Sequence, residues 1–273
     1  MRIGRGAIEA LGSALPDFLY EKLINLRITL RGRPLRIKFA NDQDTYIGND
    51  GEQEIRIARR NRCRRYGKGI SLYLDKLAGD YQLDKVPFKK GDVLIDCGAN
   101  IGEIGMWASQ FGVNYHAFEP EDREAHCCDL NNFGGEAKTN RKALWHEETT
   151  LTFFSKPDSA DGSVIEPNDY VDVVKIPAIT LESYVKKLSK KRIRLFKVEA
   201  EGAEPEVLAG AEPILDRIDY LAVDCGFERG KNSESTFNEV NELLVRNGFH
   251  IVSGDLMRGT FLFKANSSPQ KAA

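Results

Sequence analysis

Apolar residues recur along the chain in two alternating rhythms. Short aliphatic or β-branched runs stand at 92–97, 115–119, 138–145, 193–199, 220–225, 248–253 and 259–265, with stretches of helical periodicity between most of them. Seven strands interleaved with helices predict an α/β architecture, a doubly wound, mostly parallel sheet with right-handed crossovers. The last two runs are separated only by Gly254-Asp255-Leu256-Met257-Arg258, too short for a crossover, so they are expected to pair as an antiparallel hairpin. The segment Thr149 to Pro177 adds strand-like Leu151–Phe154 and Val171–Ile176 around a Gly/Ser/Asp-rich loop. Nearer the start, Ala7, Ile8, Leu11, Leu15, Phe18, Leu19, Leu23 and Leu26 fall at helical spacing and predict an amphipathic helix over 7–27. Leu35 to Phe39 alternates as a short strand, and Asn49-Asp50-Gly51 signals a turn. The expected organisation is an α+β appendage over 1–85, a main domain over 86–268 and a tail over 269–273.

Composition narrows the setting. With 273 residues, 41% of them hydrophobic, the chain can bury one large core. It has no run of 18 apolar residues and no signal-peptide pattern at its start, so a cytoplasmic protein is expected. Cys63, Cys97, Cys127, Cys128 and Cys225 are odd in number and hold no C-x-x-C pair, which argues for reduced, buried thiols. The net charge of −2 hides an asymmetry of +7 over residues 1–70 against −9 for the remainder. Its densest part, Arg56 to Lys68, reads as a solvated helix face or as an anion site. Nucleic acid is a poor partner for it, because stacking aromatics are not interleaved with the cations. The 7–27 helix is expected to dock on the main domain; its flanking Arg2, Arg5, Lys22 and Arg27 make peripheral membrane contact the less favoured alternative. A homo-oligomer is a further open arrangement.

Candidate chemistry concentrates at Asp92-Val93-Leu94-Ile95-Asp96-Cys97-Gly98-Ala99-Asn100-Ile101-Gly102-Glu103-Ile104-Gly105, a buried strand leading into a glycine-bearing turn and then an amphipathic stretch over 101–111. Open α/β sheets bind ligands at such strand ends. A dinucleotide turn needs a second glycine beside the pyrophosphate, and Asn100 stands in that place. S-adenosylmethionine has no pyrophosphate; Asp96 suits its cationic end, and Glu119, on the next strand, suits its ribose hydroxyls. Alternatively, Asp96 and Glu119 cap the elements that follow them.

Asp96-Cys97-Gly98-Ala99-Asn100-Ile101-Gly102, Phe118-Glu119-Pro120 and the block from Lys197 to Ala211 resemble the three signature blocks of the FkbM family of S-adenosylmethionine-dependent O-methyltransferases. The resemblance implies a class I, Rossmann-like methyltransferase fold and cofactor contacts from Asp96, Gly98, Ala99, Asn100, Gly102, Glu119 and Pro120. Adenine-side contacts are implied near Asn140, Lys142 and Ala143. It also implies a sugar, glycan or related metabolite hydroxyl as acceptor. The chain departs from the family at Glu199, where Asp is usual.

Methyl transfer from a sulfonium leaves a hydroxyl proton to be removed. Glu199, Glu201 and Asp224 at strand ends are the candidate catalytic carboxylates, with Glu228, His146 and Ser163 expected on neighbouring loops. No metal ligand set is assigned; Mg²⁺ held by three carboxylates is an alternative way to lower the hydroxyl pKa. Competing readings are a catalytically silent cofactor-binding module engaging an anionic polymer, an NAD-dependent oxidoreductase, and a nucleic-acid methyltransferase.

Overall fold

The computed structural model describes residues 15–266 except 42, 157–161, 187 and 189–191. The chain divides into two compact units, Met1–Asp75 and Lys76–Ala273.

In the first unit, α1 (Asp17–Thr29) precedes an antiparallel meander of β1 (Arg36–Ala40), β2 (Thr45–Asn49) and β3 (Glu54–Ile57). Tyr20, Ile24 and Ile28 of α1 are buried, and the Tyr20 ring meets Tyr46 edge-on at 5.7 Å. Among the described residues the helix begins after Pro16, whose lack of an N–H costs nothing at a helix start; positions 7–14 of the expected helix lie outside them. The basic run from Arg56 is not a solvated α-helical face. It closes β3 and continues as a 3₁₀ segment over Arg60–Lys68 that buries Arg62, Cys63 and Tyr66, while Arg60 pairs with Asp17. Next comes α2 (Ile70–Asp80).

The second unit holds β4 (Val93–Cys97), α3 (Glu103–Ala108), β5 (Asn114–Phe118), α4 (Asp122–Asn132), β6 (Ala143–Leu144), β7 (Thr149–Ser155), β8 (Asp172–Ile179), α5 (Leu181–Val185), β9 (Ile193–Val198), α6 (Glu204–Ala209), β10 (Ile218–Asp224), β11 (Phe227–Arg229), β12 (Glu234–Ser235), α7 (Phe237–Arg246), β13 (Phe249–Asp255) and β14 (Thr260–Ala265). The main sheet runs β13-β14-β10-β9-β4-β5, parallel from β5 to β10, with β14 antiparallel to both β10 and β13. Every residue of β4 is buried, as a central parallel strand requires. Ile95, Phe196, Val198, Leu221, Val223 and Phe263 anchor the core beneath the sheet.

This sheet has six strands, one fewer than the seven expected. The amides of Lys138 and Thr139 donate to Asp129 Oδ1 at 3.0 and 2.7 Å, so they are lost to strand pairing. What remains of that run is a single bridge from Asn140 to Phe118 and the two-residue β6, which joins β8 and β7 in a separate sheet ordered β6-β8-β7. The expected 101–111 helix is shorter too. α3 ends at Ala108, and a 3₁₀ turn over Ser109–Phe111 stops at Gly112, whose φ is 64°.

Candidate active site at the carboxyl edge of the sheet

Strand register creates the site. Cys97 lies level with Phe118 on one side and Val198 on the other, and Val198 is level with Val223. The next residue of each parallel strand therefore reaches the sheet edge together, giving the row Glu119, Gly98, Glu199, Asp224. Because side chains alternate, Asp96, Lys197, Glu199 and Asp224 project on the same face.

The turn after β4 is fixed mainly by backbone bonds. The amides of Gly98 and Ala99 both donate to the Phe118 carbonyl at 3.0 Å, and Gly102 donates to Ala99 at 2.8 Å. Gly98 has φ 73°, and a Cβ there would strike the Glu199 carbonyl oxygen. Gly98→Ala is accordingly expected to lower stability by about 2–4 kcal/mol, read as a shift in the urea midpoint. At Gly102, whose φ is 81°, a side chain would meet Asn132 and Cys128 of α4, so helix packing by itself calls for glycine there. Asn100 also adopts a left-handed φ of 50°, and its Oδ1 accepts the Ile101 amide at 3.0 Å.

Glu119 binds the two turns together. Its Oε2 accepts the Asn100 amide at 2.8 Å and its Oε1 the Glu121 amide at 2.9 Å. Burial pushes its carboxyl up to about 8 against the pull of those amides. The Glu119 amide in turn donates to Asn140 O at 3.0 Å, while Asn140 Nδ2 returns to Ala117 O at 2.9 Å. Hydrogen bonds thus join the Gly98–Gly102 turn, Glu119 and Asn140, with half-buried Pro120 following Glu119 and Asp96 buried near the end of β4. Lys142 is exposed, and Ala143 pairs with Ala178 in the second sheet.

Asp96 meets a cation supplied by the chain itself. It is fully buried, with Oδ1 3.1 Å from Lys197 Nζ and Oδ2 accepting the Tyr115 hydroxyl at 2.8 Å. Lys197 Nζ also donates to Gly98 O at 2.9 Å and Glu199 Oε2 at 3.0 Å. Against burial, which disfavours an ammonium, Asp96 and Glu199 hold Lys197 above its ordinary range. Against burial of its own, Glu199 is kept below the usual carboxylate range by Lys197 and the Tyr81 hydroxyl. Asp224 goes the other way: burial first, then the Glu199 charge, lift it to about 6, while the Gly226 amide donates to Oδ1 at 3.0 Å.

Two further residues complete this cluster from outside the motif blocks. The Tyr81 ring meets two cations, Lys197 Nζ at 5.2 Å and the Arg258 guanidinium at 5.1 Å from its centre. Arg258 reaches Asp80 at 3.0 Å and lies 3.9 Å from Asp224. Neither residue carried a local sequence signal. Lys197 did, as the one charged residue in the buried half of an otherwise apolar strand. Glu204 was also missed. It accepts the Ala200 and Gly202 amides at 2.9 and 3.1 Å and the Thr236 hydroxyl at 3.0 Å, shaping the 199–203 loop, and burial lifts it to about 7.

Glu201 sits in that loop with φ 51°, its carbonyl accepting the Ser163 hydroxyl at 2.8 Å. His146 is exposed, 3.7 Å from Glu147. Among the described residues no three His, Cys, Asp or Glu side chains are grouped to hold a metal ion.

A parallel sheet closed by antiparallel β14, with a glycine turn after its first strand and an acidic residue following the next, fits a Rossmann-like fold. The chain belongs to the FkbM methyltransferase family, whose domain model, Methyltransferase FkbM domain, matches residues 96–251. Among solved structures, it is similar to the methyltransferase FkbM from Methylobacillus flagellatus KT, at 14% identity and TM-score 0.44, over 76% of this chain and 54% of that one. It is also similar to magnesium protoporphyrin IX methyltransferase from Synechocystis PCC 6803 with bound SAM, at 8% identity and TM-score 0.40, over 75% and 83% of the two chains. A TehB-like SAM-dependent methyltransferase from Corynebacterium glutamicum matches at 11% identity and TM-score 0.39, over 76% and 97%. The chain thus spans about half the length of the first of these structures. Comparison with curated proteins gave no match.

Proposed function

We propose that the chain is an S-adenosylmethionine-dependent O-methyltransferase acting on a hydroxyl of a sugar, glycan or related metabolite. One observation carries the reading: the level row of Glu119, Gly98, Glu199 and Asp224 at the carboxyl edge of the sheet in a member of a methyltransferase family.

The donor set fits such a cofactor. Each Glu119 oxygen accepts a single amide, which leaves lone pairs for two ribose hydroxyls. Asn100 fills the place where a pyrophosphate would need glycine, so the turn suits a ligand without one. Glu119, Asn100 and the Gly98 backbone would hold the nucleoside end, with Asn140 beside the base, and the carboxylates of Glu199 and Asp224 favour a cationic centre. When bound, S-adenosylmethionine supplies an electrophilic methyl group on a sulfonium.

The chain's own residues then handle the acceptor. Asp224 takes the hydroxyl proton as the oxygen attacks, since its carboxylate is the more basic of the pair. Glu199, kept ionised by Lys197 and Tyr81, is too weak a base for that step and instead maintains the basicity of Asp224. Glu201, two residues beyond Glu199 on the same loop, is the remaining candidate carboxylate.

Calorimetry tests the cofactor half. S-adenosylmethionine and its demethylated product are expected to bind in roughly the micromolar range. Glu119→Gln replaces an acceptor with a donor facing an amide and is expected to weaken binding by about 10–100-fold. Binding of NAD with none of S-adenosylmethionine would overturn the reading. Incubation with candidate glycans and a search for a gain of one methylene tests the acceptor.

A further inference from the structure

The first helix is built inside out. Asp17, Glu21 and Asn25, spaced four apart, all point into the first unit, and each is engaged there. Asp17 accepts from Arg60 and Tyr46, Glu21 Oε2 accepts the Phe39 amide at 2.9 Å, and Asn25 exchanges hydrogen bonds with Ile37 at 2.6 and 2.8 Å. The opposite side presents large apolar groups to solvent. Phe18 is 58% exposed, Leu23 53%, Leu26 56% and Leu30, the residue after the helix, 78%. At 100° per residue, Leu19, Leu23, Leu26 and Leu30 fall within one narrow stripe, while Phe18 lies on the flank of the helix, about a quarter turn or more away from it. A soluble surface scatters single apolar residues but seldom lines up four along one side of a helix and its C-terminal residue.

Charge is sorted in the same sense. Both acidic residues of α1 are used inward, so the outward side carries only cations: Lys22 and Arg31 are exposed, and Arg27 lies beside them. Partial burial and then the neighbouring charges of Arg31, Arg64 and Arg33 hold Arg27 below its ordinary value.

We propose that this face of α1 is an interfacial docking surface for an anionic lipid membrane. Leu19, Leu23, Leu26 and Leu30 enter the boundary between headgroups and acyl chains, and Lys22, Arg27 and Arg31 lie at headgroup level. An acidic protein groove would need anions interspersed with a shaped apolar cleft. A bilayer asks only for an apolar stripe bordered by cations, which is what the helix offers. The proposal is independent of the methyl-transfer reading.

The test is flotation of the full chain with phosphatidylcholine vesicles, with and without roughly one-third phosphatidylglycerol. The protein is expected to float with the anionic vesicles, more weakly at high salt. Leu23→Glu with Leu26→Glu is expected to reduce binding by about tenfold per leucine, while Lys22→Gln with Arg31→Gln reduces it by about fivefold per cation. Leu23→Ser with Leu26→Ser is a milder version that guards against misfolding, and circular dichroism melting should be unchanged in all of them. Absence of flotation at low salt overturns the proposal. So does equal binding by the leucine variants, or a dimer by light scattering that those variants dissociate, which would make the face a contact between copies.

Discussion

Lys197→Met is expected to be the most damaging single substitution in the second unit, lowering stability by about 3–5 kcal/mol. The lysine is 2% exposed and lies within 3.2 Å of four oxygens: Asp96 Oδ1, Glu199 Oε2 and the carbonyls of Cys97 and Gly98. Methionine fills its volume but leaves two carboxylates and two carbonyls facing an apolar group. In a domain of this size the loss corresponds to a fall of roughly 6–20 °C in thermal midpoint. Asp96→Asn in the same chain should restore part of it, because the deepest orphaned charge is then gone; a double-mutant cycle by calorimetry measures that coupling. If the double variant is no more stable than Lys197→Met alone, Asp96 and Lys197 are not the energetic pair described.

Asp224→Asn is expected to act on rate instead. It removes the proposed base while keeping the shape of the side chain, so turnover should fall by about 10²–10⁴-fold with little change in cofactor affinity. The pH dependence follows from the carboxyl at about 6. The base works only when deprotonated, so turnover of the parent enzyme should rise as pH climbs through about 6 and then level off. Arg258 and Lys197 oppose the elevation caused by burial and by Glu199. In the Asp224→Asn variant the rising limb should vanish. A variant that turns over at the parental rate, or that retains the limb, would move the base elsewhere.

How much of this was visible in the chain depends on the range over which each signal acts. The turn from Asp96 to Gly102 and the placement of Glu119 are local: a buried strand, left-handed positions and a second strand end can be read from neighbouring residues. Alternation also puts Lys197 and Glu199 on one side of β9. That Lys197 faces Asp96, however, needs the register of two strands a hundred residues apart, which spacing alone does not encode. The 138–145 run looked like a seventh strand because apolar content ignores competition. Asp129 captured its amides, leaving only a bridge and a stub. Likewise the Arg56–Lys68 run gave no hint that Arg62 would be buried and Arg60 spoken for by Asp17. Tyr81 was least legible, an isolated aromatic after a helix whose importance exists only once Arg258, 177 residues away, reaches its hydroxyl.

The family domain covers residues 96–251, yet the brace over Glu199 and Asp224 is made by Tyr81 before that stretch and Arg258 after it. Two of the groups around Glu199 and Asp224 thus come from chain outside the family domain, while Lys197 comes from within it. Substitutions at Tyr81 or Arg258 would therefore reach the Glu199–Asp224 cluster without altering any residue of the Gly98–Gly102 turn.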